Sequence, residues 1–211
     1  MSNKDQYLYV PYGQTVHGEE EIEAVVKVLR TSTQMGVNVR EFEQKVSDLY
    51  DKKHGVMVNS GSSALYLAID ILDLPKGSEV ITPALTFATT VSPLVKAGLI
   101  PAFVDNEPGT YNLNWRKVEE MITPKTKAIV PVHLFGRAAN MEAIMRIANE
   151  HNLYVIEDNA QAIGANCKFS DGTKKKVGTI GHVGSTSFFP SKNLGCYGDG
   201  GAIFTNDDAL A

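Results

Sequence analysis

The chain has 211 residues, 43% hydrophobic and 21% charged, an ordinary globular composition with enough apolar residues for one sizeable core. A formal net charge of -4 and a pI near 5.7 leave no basic footprint for nucleic acid, and no apolar run is long enough to span a bilayer. Cys167 and Cys196 are too few for a disulfide framework, and Met1-Ser-Asn-Lys-Asp-Gln6 lacks the apolar stretch of a secretory leader, so a cytoplasmic location is expected.

Residues 1–16 carry Tyr7, Tyr9, Val10, Pro11 and Tyr12 without helical period and read as an extended arm with aromatic anchors, of the kind that packs on a neighbouring subunit. Residues 17–211 read as one domain. Ile22, Val25, Val26 and Leu29 fall at i, i+3, i+4 and i+7, behind Glu19, Glu20 and Glu21, and predict an amphipathic helix lying on a core. Gly36 breaks the pattern. Val39, Phe42, Val46 and Leu49 predict a second helix that ends before Lys52-Lys53-His54-Gly55, with Gly55 as its stop.

Short apolar runs follow at 56–58, 80–81, 100–104, 128–132 and 154–156, alternating with helical patterns over 63–72, 88–97, 115–122 and 141–151. A spacing of roughly 25 residues suits parallel crossovers, and unalternated Val/Ile runs suit strands covered on both faces. An α/β layered domain is therefore predicted. Gly172-Thr-Lys-Lys-Lys176 reads as a solvated charged turn. Ser185 to Phe204 reads as strand, glycine-rich loop and strand, and Thr205-Asn-Asp-Asp208 has the character of a helix N-cap, one turn before the last residue.

In open α/β sheets, ligands bind beyond the carboxyl ends of the strands, which directs attention to the residues after each run. Asn59-Ser-Gly-Ser-Ser63 sets hydroxyls and free N–H groups at a helix start, an anion site or an ordinary cap. Asp158 stands after 154–156 as a helix cap or as the partner of a cationic ring nitrogen. Phe87 offers an aromatic face or a core side chain. Lys192, in an apolar loop, is a surface lysine or an imine-forming nucleophile. Taken together, amine, phosphate cradle, ring-nitrogen partner and stacking face are the four groups pyridoxal phosphate needs. Cys196 reads as a small packing residue, and His133 as structural. A Ser62–His133–Asp158 hydrolase lacks the G-x-S-x-G elbow, and the glycines from Gly195 to Gly201 have the wrong spacing for a dinucleotide site.

The strings Ser60-Gly-Ser-Ser-Ala-Leu65, Ile81-Thr-Pro-Ala-Leu-Thr-Phe-Ala-Thr89, Pro131-Val-His-Leu-Phe-Gly136, Ile156-Glu-Asp-Asn-Ala-Gln-Ala-Ile-Gly-Ala165 and Ser187-Phe-Phe-Pro-Ser-Lys-Asn-Leu-Gly195 resemble the DegT/StrS family of nucleotide-sugar aminotransferases. The resemblance runs from about residue 10 to the last residue, in the family's order. It implies the large domain of a fold-type I transferase like aspartate aminotransferase, a three-layer sandwich around a mostly parallel sheet, without the family's small C-terminal domain. Lys192 matches the lysine that binds the cofactor covalently, Asp158 the partner of the pyridine nitrogen, and Phe87 the residue stacked on the ring. Ser62, Ser63 and Ser187 match phosphate contacts, and Gln161 a residue beside the ring hydroxyl. The implied reaction moves an amino group from an amino acid, L-glutamate, to a keto group of a nucleotide-linked sugar, for cell-surface polysaccharide or amino-sugar biosynthesis, in a homodimer. A truncated cofactor-binding or regulatory module is the alternative. The family's dehydratase branch carries histidine where this chain has Lys192.

Overall fold

The computed structural model describes residues 8–11, 16–34 and 36–211. Of the arm expected over residues 1–16, positions 1–7 and 12–15 lie outside the described residues, and Leu8, Tyr9 and Val10 are exposed without secondary structure. Among the described residues there are nine strands: β1 His54–Val58, β2 Glu79–Pro83, β3 Ile100–Val104, β4 Thr126–Ile129, β5 Tyr154–Asp158, β6 Asn166–Lys168, β7 Lys174–Lys176, β8 Val183–Ser187 and β9 Gly201–Thr205. The helices are α1 Glu19–Thr31, α2 Val37–Tyr50, α3 Gly61–Asp70, α4 Ala88–Lys96 and α5 Met141–His151.

Seven strands form one sheet in the order β1-β9-β8-β5-β4-β2-β3. The pairs β8–β5, β5–β4, β4–β2 and β2–β3 are parallel, while β9 runs antiparallel to both its neighbours. β1 therefore points the same way as the parallel strands. Consecutive residues face opposite layers: Val80, Ala128 and Ile156 pack with Ala68 and Ile69 of α3 and Leu94 of α4, whereas Ile81, Ile129 and Val155 pack with Met141, Ile144 and Ile147 of α5. A strand buried on both faces has no polar side to show, which explains the unalternated runs. Each fully buried Ile or Leu contributes about 1.5–3 kcal/mol, so both helical layers are held by the same strands. The result is the expected three-layer α/β sandwich. A third cluster, Val46 and Tyr50 of α2 with Phe188, Ala202 and Phe204, closes the β9 end.

Several expectations are corrected. α1 forms, but its apolar stripe does not lie on a core: it has no buried residue, and Leu29 is 66% exposed. Gly55 does not stop α2, which ends on Asp51 in the left-handed region (φ 52°). Gly55 instead lies in β1, where an added Cβ would sit 2.3 Å from Ser47 Oγ, so its small size lets β1 lie against α2. Residues 115–122 form two 3-10 turns, Trp115–Lys117 and Glu119–Met121, because Asn114 caps the N–H of Arg116 and Ile122 is already extended. Lys174, Lys175 and Lys176 are not a turn but β7, paired with β6, and Lys175 lies over the Phe169 ring. After β9 a turn, not a helix, occupies residues 208–210, with Asp207 accepting the N–H of Ala209.

Candidate active site

The carboxyl ends of β1, β2, β5 and β8 share one edge of the sheet. Beyond β1, Ser60 is the N-cap of α3, its Oγ accepting the N–H of Ser63 at 3.1 Å. The earlier N–H groups of that first turn have no place in the helical ladder. An added Cβ at Gly61 would lie 2.6 Å from Ser187 Cβ, and one at Gly201 2.4 Å from the Ser60 carbonyl carbon. Glycine at these two positions lets the start of α3 rest directly on β8 and β9. Beyond β2, Phe87 is the N-cap residue of α4 and is 68% exposed.

Beyond β5, Asp158 is buried, and both its oxygens are fixed. Thr90 Oγ1 donates to Oδ2 at 2.8 Å, and the N–H of Ala160 donates to Oδ1 at 3.1 Å. Gln161 Oε1 accepts the N–H of Phe135 at 2.8 Å, holding Phe135 in the left-handed region (φ 55°). Beyond β8, the chain returns to β9 through a tight loop: Phe188 N donates to Gly200 O, Cys196 N to Phe188 O and Lys192 N to Phe189 O, each at 2.8 Å. Gly195 packs where a Cβ would lie 2.7 Å from Pro190 O. Lys192 is half-buried in this loop. Burial pushes the Cys196 thiol above its usual range, in keeping with a packing role.

These four ends enclose a cavity of about 570 Å³ lined by Ser62, Phe87, Asp158, Gln161, Ser187 and Lys192. Six of the seven residues singled out from sequence are thus brought together. Ser63 does not line the cavity, since its hydroxyl donates to Asn59 Oδ1 at 2.6 Å. Asp199, Thr86 and Thr90 were missed. Asp199 and Thr86 line the cavity, and Thr90 holds Asp158.

His133 and Glu157 are both fully buried and do not line the cavity. His133 Nδ1 accepts the N–H of Ala139 at 3.1 Å, which assigns its proton to Nε2, donated to Glu157 Oε2 at 2.9 Å. Glu157 also accepts N–H groups from Gly178 (2.6 Å), Ile180 (2.6 Å) and Gly181 (2.5 Å). His133 is thus committed to structure, and the Ser62–His133–Asp158 arrangement is absent among the described residues.

A mostly parallel sheet interrupted by β9, with lysine and carboxylate at its carboxyl edge, is the architecture of the large domain of pyridoxal phosphate-dependent transferases. The chain belongs to the DegT/DnrJ/EryC1/StrS aminotransferase family, whose model matches residues 15–211. It is 48% identical over 177 residues to a pleiotropic regulatory protein of Geobacillus stearothermophilus, covering 84% of this chain and 46% of that one. It is 45% identical over 177 residues to the UDP-2-acetamido-2-deoxy-3-oxo-D-glucuronate aminotransferase of Pseudomonas aeruginosa, covering 84% and 48%. The solved structure of the E coli GDP-4-keto-6-deoxy-D-mannose-3-dehydratase with bound hydrated PLP superposes with a TM-score of 0.88 at 32% identity, covering 95% of this chain and 52% of that one. The chain spans about half the length of these relatives.

Proposed function

We propose that this chain is the coenzyme-binding part of a pyridoxal phosphate-dependent aminotransferase that moves an amino group from L-glutamate to a keto group of a nucleotide-linked sugar. The observation that carries this reading is the convergence of Ser62, Phe87, Asp158 and Lys192 on one cavity from four separate strand ends. The donor set fits the coenzyme: the buried Asp158 carboxylate, the Lys192 amine, hydroxyls beside a helix N-terminus, and an aromatic face. When bound, pyridoxal phosphate supplies an electron sink that makes the proton on the donor's Cα removable.

The chain's own residues do the rest. Lys192 Nζ would hold the coenzyme covalently, and its amine would serve as general acid/base at the donor's Cα. Asp158, fixed by Thr90 and Ala160, carries the negative charge opposite the ring nitrogen. Ser62 and Ser187 receive the phosphate, and Ser63 shapes that cradle through Ser60 and Asn59. Phe87 would cover one ring face, and Gln161 would lie beside the ring hydroxyl. Lysine at position 192 favours amino transfer over the dehydration of the family's histidine branch. A homodimer is part of this reading, supported by the exposed Leu8, Tyr9, Val10 and Leu29.

The test is a visible spectrum of the purified protein with pyridoxal phosphate, followed by borohydride reduction and peptide mapping. A reduced adduct on Lys192 is expected, and an adduct elsewhere would overturn the assignment. Lys192→Ala is expected to lower amino transfer at least 1,000-fold, on the order of the loss seen when an essential nucleophile is removed. The relative named as a regulatory protein supports a second reading, a coenzyme-binding regulatory module. Adduct formation without release of 2-oxoglutarate from glutamate would favour that module.

A further inference from the structure

Thr90 is buried in the first turn of α4, three residues after the cavity-lining Phe87, whose carbonyl accepts its N–H at 3.0 Å. A threonine in a helix ordinarily turns its hydroxyl back to the carbonyl four residues earlier. Here the hydroxyl reaches Asp158 Oδ2 at 2.8 Å and meets the hydroxyl of Thr86, four residues earlier, at 2.7 Å. Counting protons fixes the direction of this chain. An ionised carboxylate only accepts, so the single Thr90 proton goes to Asp158, and Thr86 must then donate to Thr90. Thr86 Oγ1, on the cavity wall, keeps its remaining acceptor capacity for whatever lies in the cavity. With Ala160 N on Oδ1, both oxygens of the carboxylate are engaged, which fixes the plane of the group as well as its position.

We propose that Thr86 and Thr90 form a directed hydroxyl relay that aims the Asp158 carboxylate at the coenzyme's ring nitrogen, making Thr90 a positioning residue. This rests on the coenzyme reading above. The relay joins the aromatic wall and the carboxylate through one helix start, so that α4 sets both at once.

The experiment compares wild type, Thr90→Val and Thr90→Ser, each loaded with pyridoxal phosphate labelled with 15N in the ring. Valine keeps the shape of threonine without its proton, and serine keeps the hydroxyl. Wild type and Thr90→Ser are expected to share one dissociation constant and a ring-nitrogen shift in the protonated range. Thr90→Val is expected to bind about ten-fold more weakly, with the 15N signal moved toward neutral pyridine, because a carboxylate free to rotate no longer meets the ring N–H. A merely structural role would change thermal unfolding without moving the 15N signal. If Thr90→Val does not fold, Thr86→Val breaks the outer link and is expected to raise the dissociation constant about three-fold with a smaller 15N displacement. A wild-type shift and affinity in the folded variant would overturn the relay while leaving the coenzyme site standing. Failure of wild type to take up the coenzyme would overturn the site itself and the relay with it.

Discussion

Two adjacent acids at the end of β5 serve opposite faces of the sheet. Asp158 belongs to the cavity, while Glu157 is fully buried and accepts three backbone N–H groups and the His133 Nε2 proton. Its two oxygens tie the 178–181 loop to the strand end. Glu157→Gln would turn an amide N–H₂ toward donors that need an acceptor. A loss of about 3 kcal/mol in urea unfolding is expected, typical of removing one side of a buried hydrogen-bonded charge. A loss below about 1 kcal/mol would show that the loop is held by other contacts. At this scale the sequence revealed Asp158 and Lys192, because each follows an apolar run. Thr90 stayed hidden because its role depends on how closely α4 approaches β5, a distance no spacing encodes. Ser63 shows the converse: a hydroxyl of the right type at the right end, already committed to Asn59.

At the scale of elements, the cavity depends on how closely α3 sits on β8 and β9. Gly201 pairs with both Val58 and Ser187, and a Cβ there would stand 2.4–2.6 Å from backbone atoms of Ser60 and Gly61. Backbone cannot swing aside as a side chain does. Gly201→Ala is therefore expected to cost about 2 kcal/mol in unfolding free energy, within the usual range for overpacking. It should also weaken pyridoxal phosphate binding measured by absorbance titration, since the helix start and Ser187 would separate. Unchanged affinity would mean that the phosphate cradle tolerates the shift. The long Val/Ile strands and α5 were legible because burial on two faces, or on one stripe, leaves a mark in composition. β6 and β7 were not, since Lys174 to Lys176 carry no apolar signal and the two strands pair only with each other. α1 was read correctly as a helix and wrongly as a packed one, because periodicity marks an apolar face without naming what covers it.

For the molecule as a whole, the α2–β9 side depends on Tyr50, fully buried and stacked on Phe204 at 4.3 Å, with Asn159 Nδ2 donating to its oxygen at 2.6 Å. Burial raises the Tyr50 phenol above its usual range, and hydrogen bonds with Thr186 and Asn159 only partly offset this. The fold therefore holds the neutral phenol, a contribution fully present below the unfolded value of 10.0 and lost as pH rises above it. Above pH 10, wild-type unfolding free energy should fall more steeply than that of Tyr50→Phe, by up to about 1.4 kcal/mol per pH unit. Equal alkaline slopes would remove Tyr50 from this account. The layer count was legible from the alternation of strands and helices, but the strand order was not: nothing local announces that β1 lies beside β9. That neighbour relation bears on the order of events during synthesis. Lys53 N donates to Asn206 Oδ1 across 153 residues, and the whole β1 ladder is made with β9. β1 leaves the ribosome early and waits with an unsatisfied edge until β9 follows it, so the lysine loop takes its final shape late, in the same event that seals the sheet.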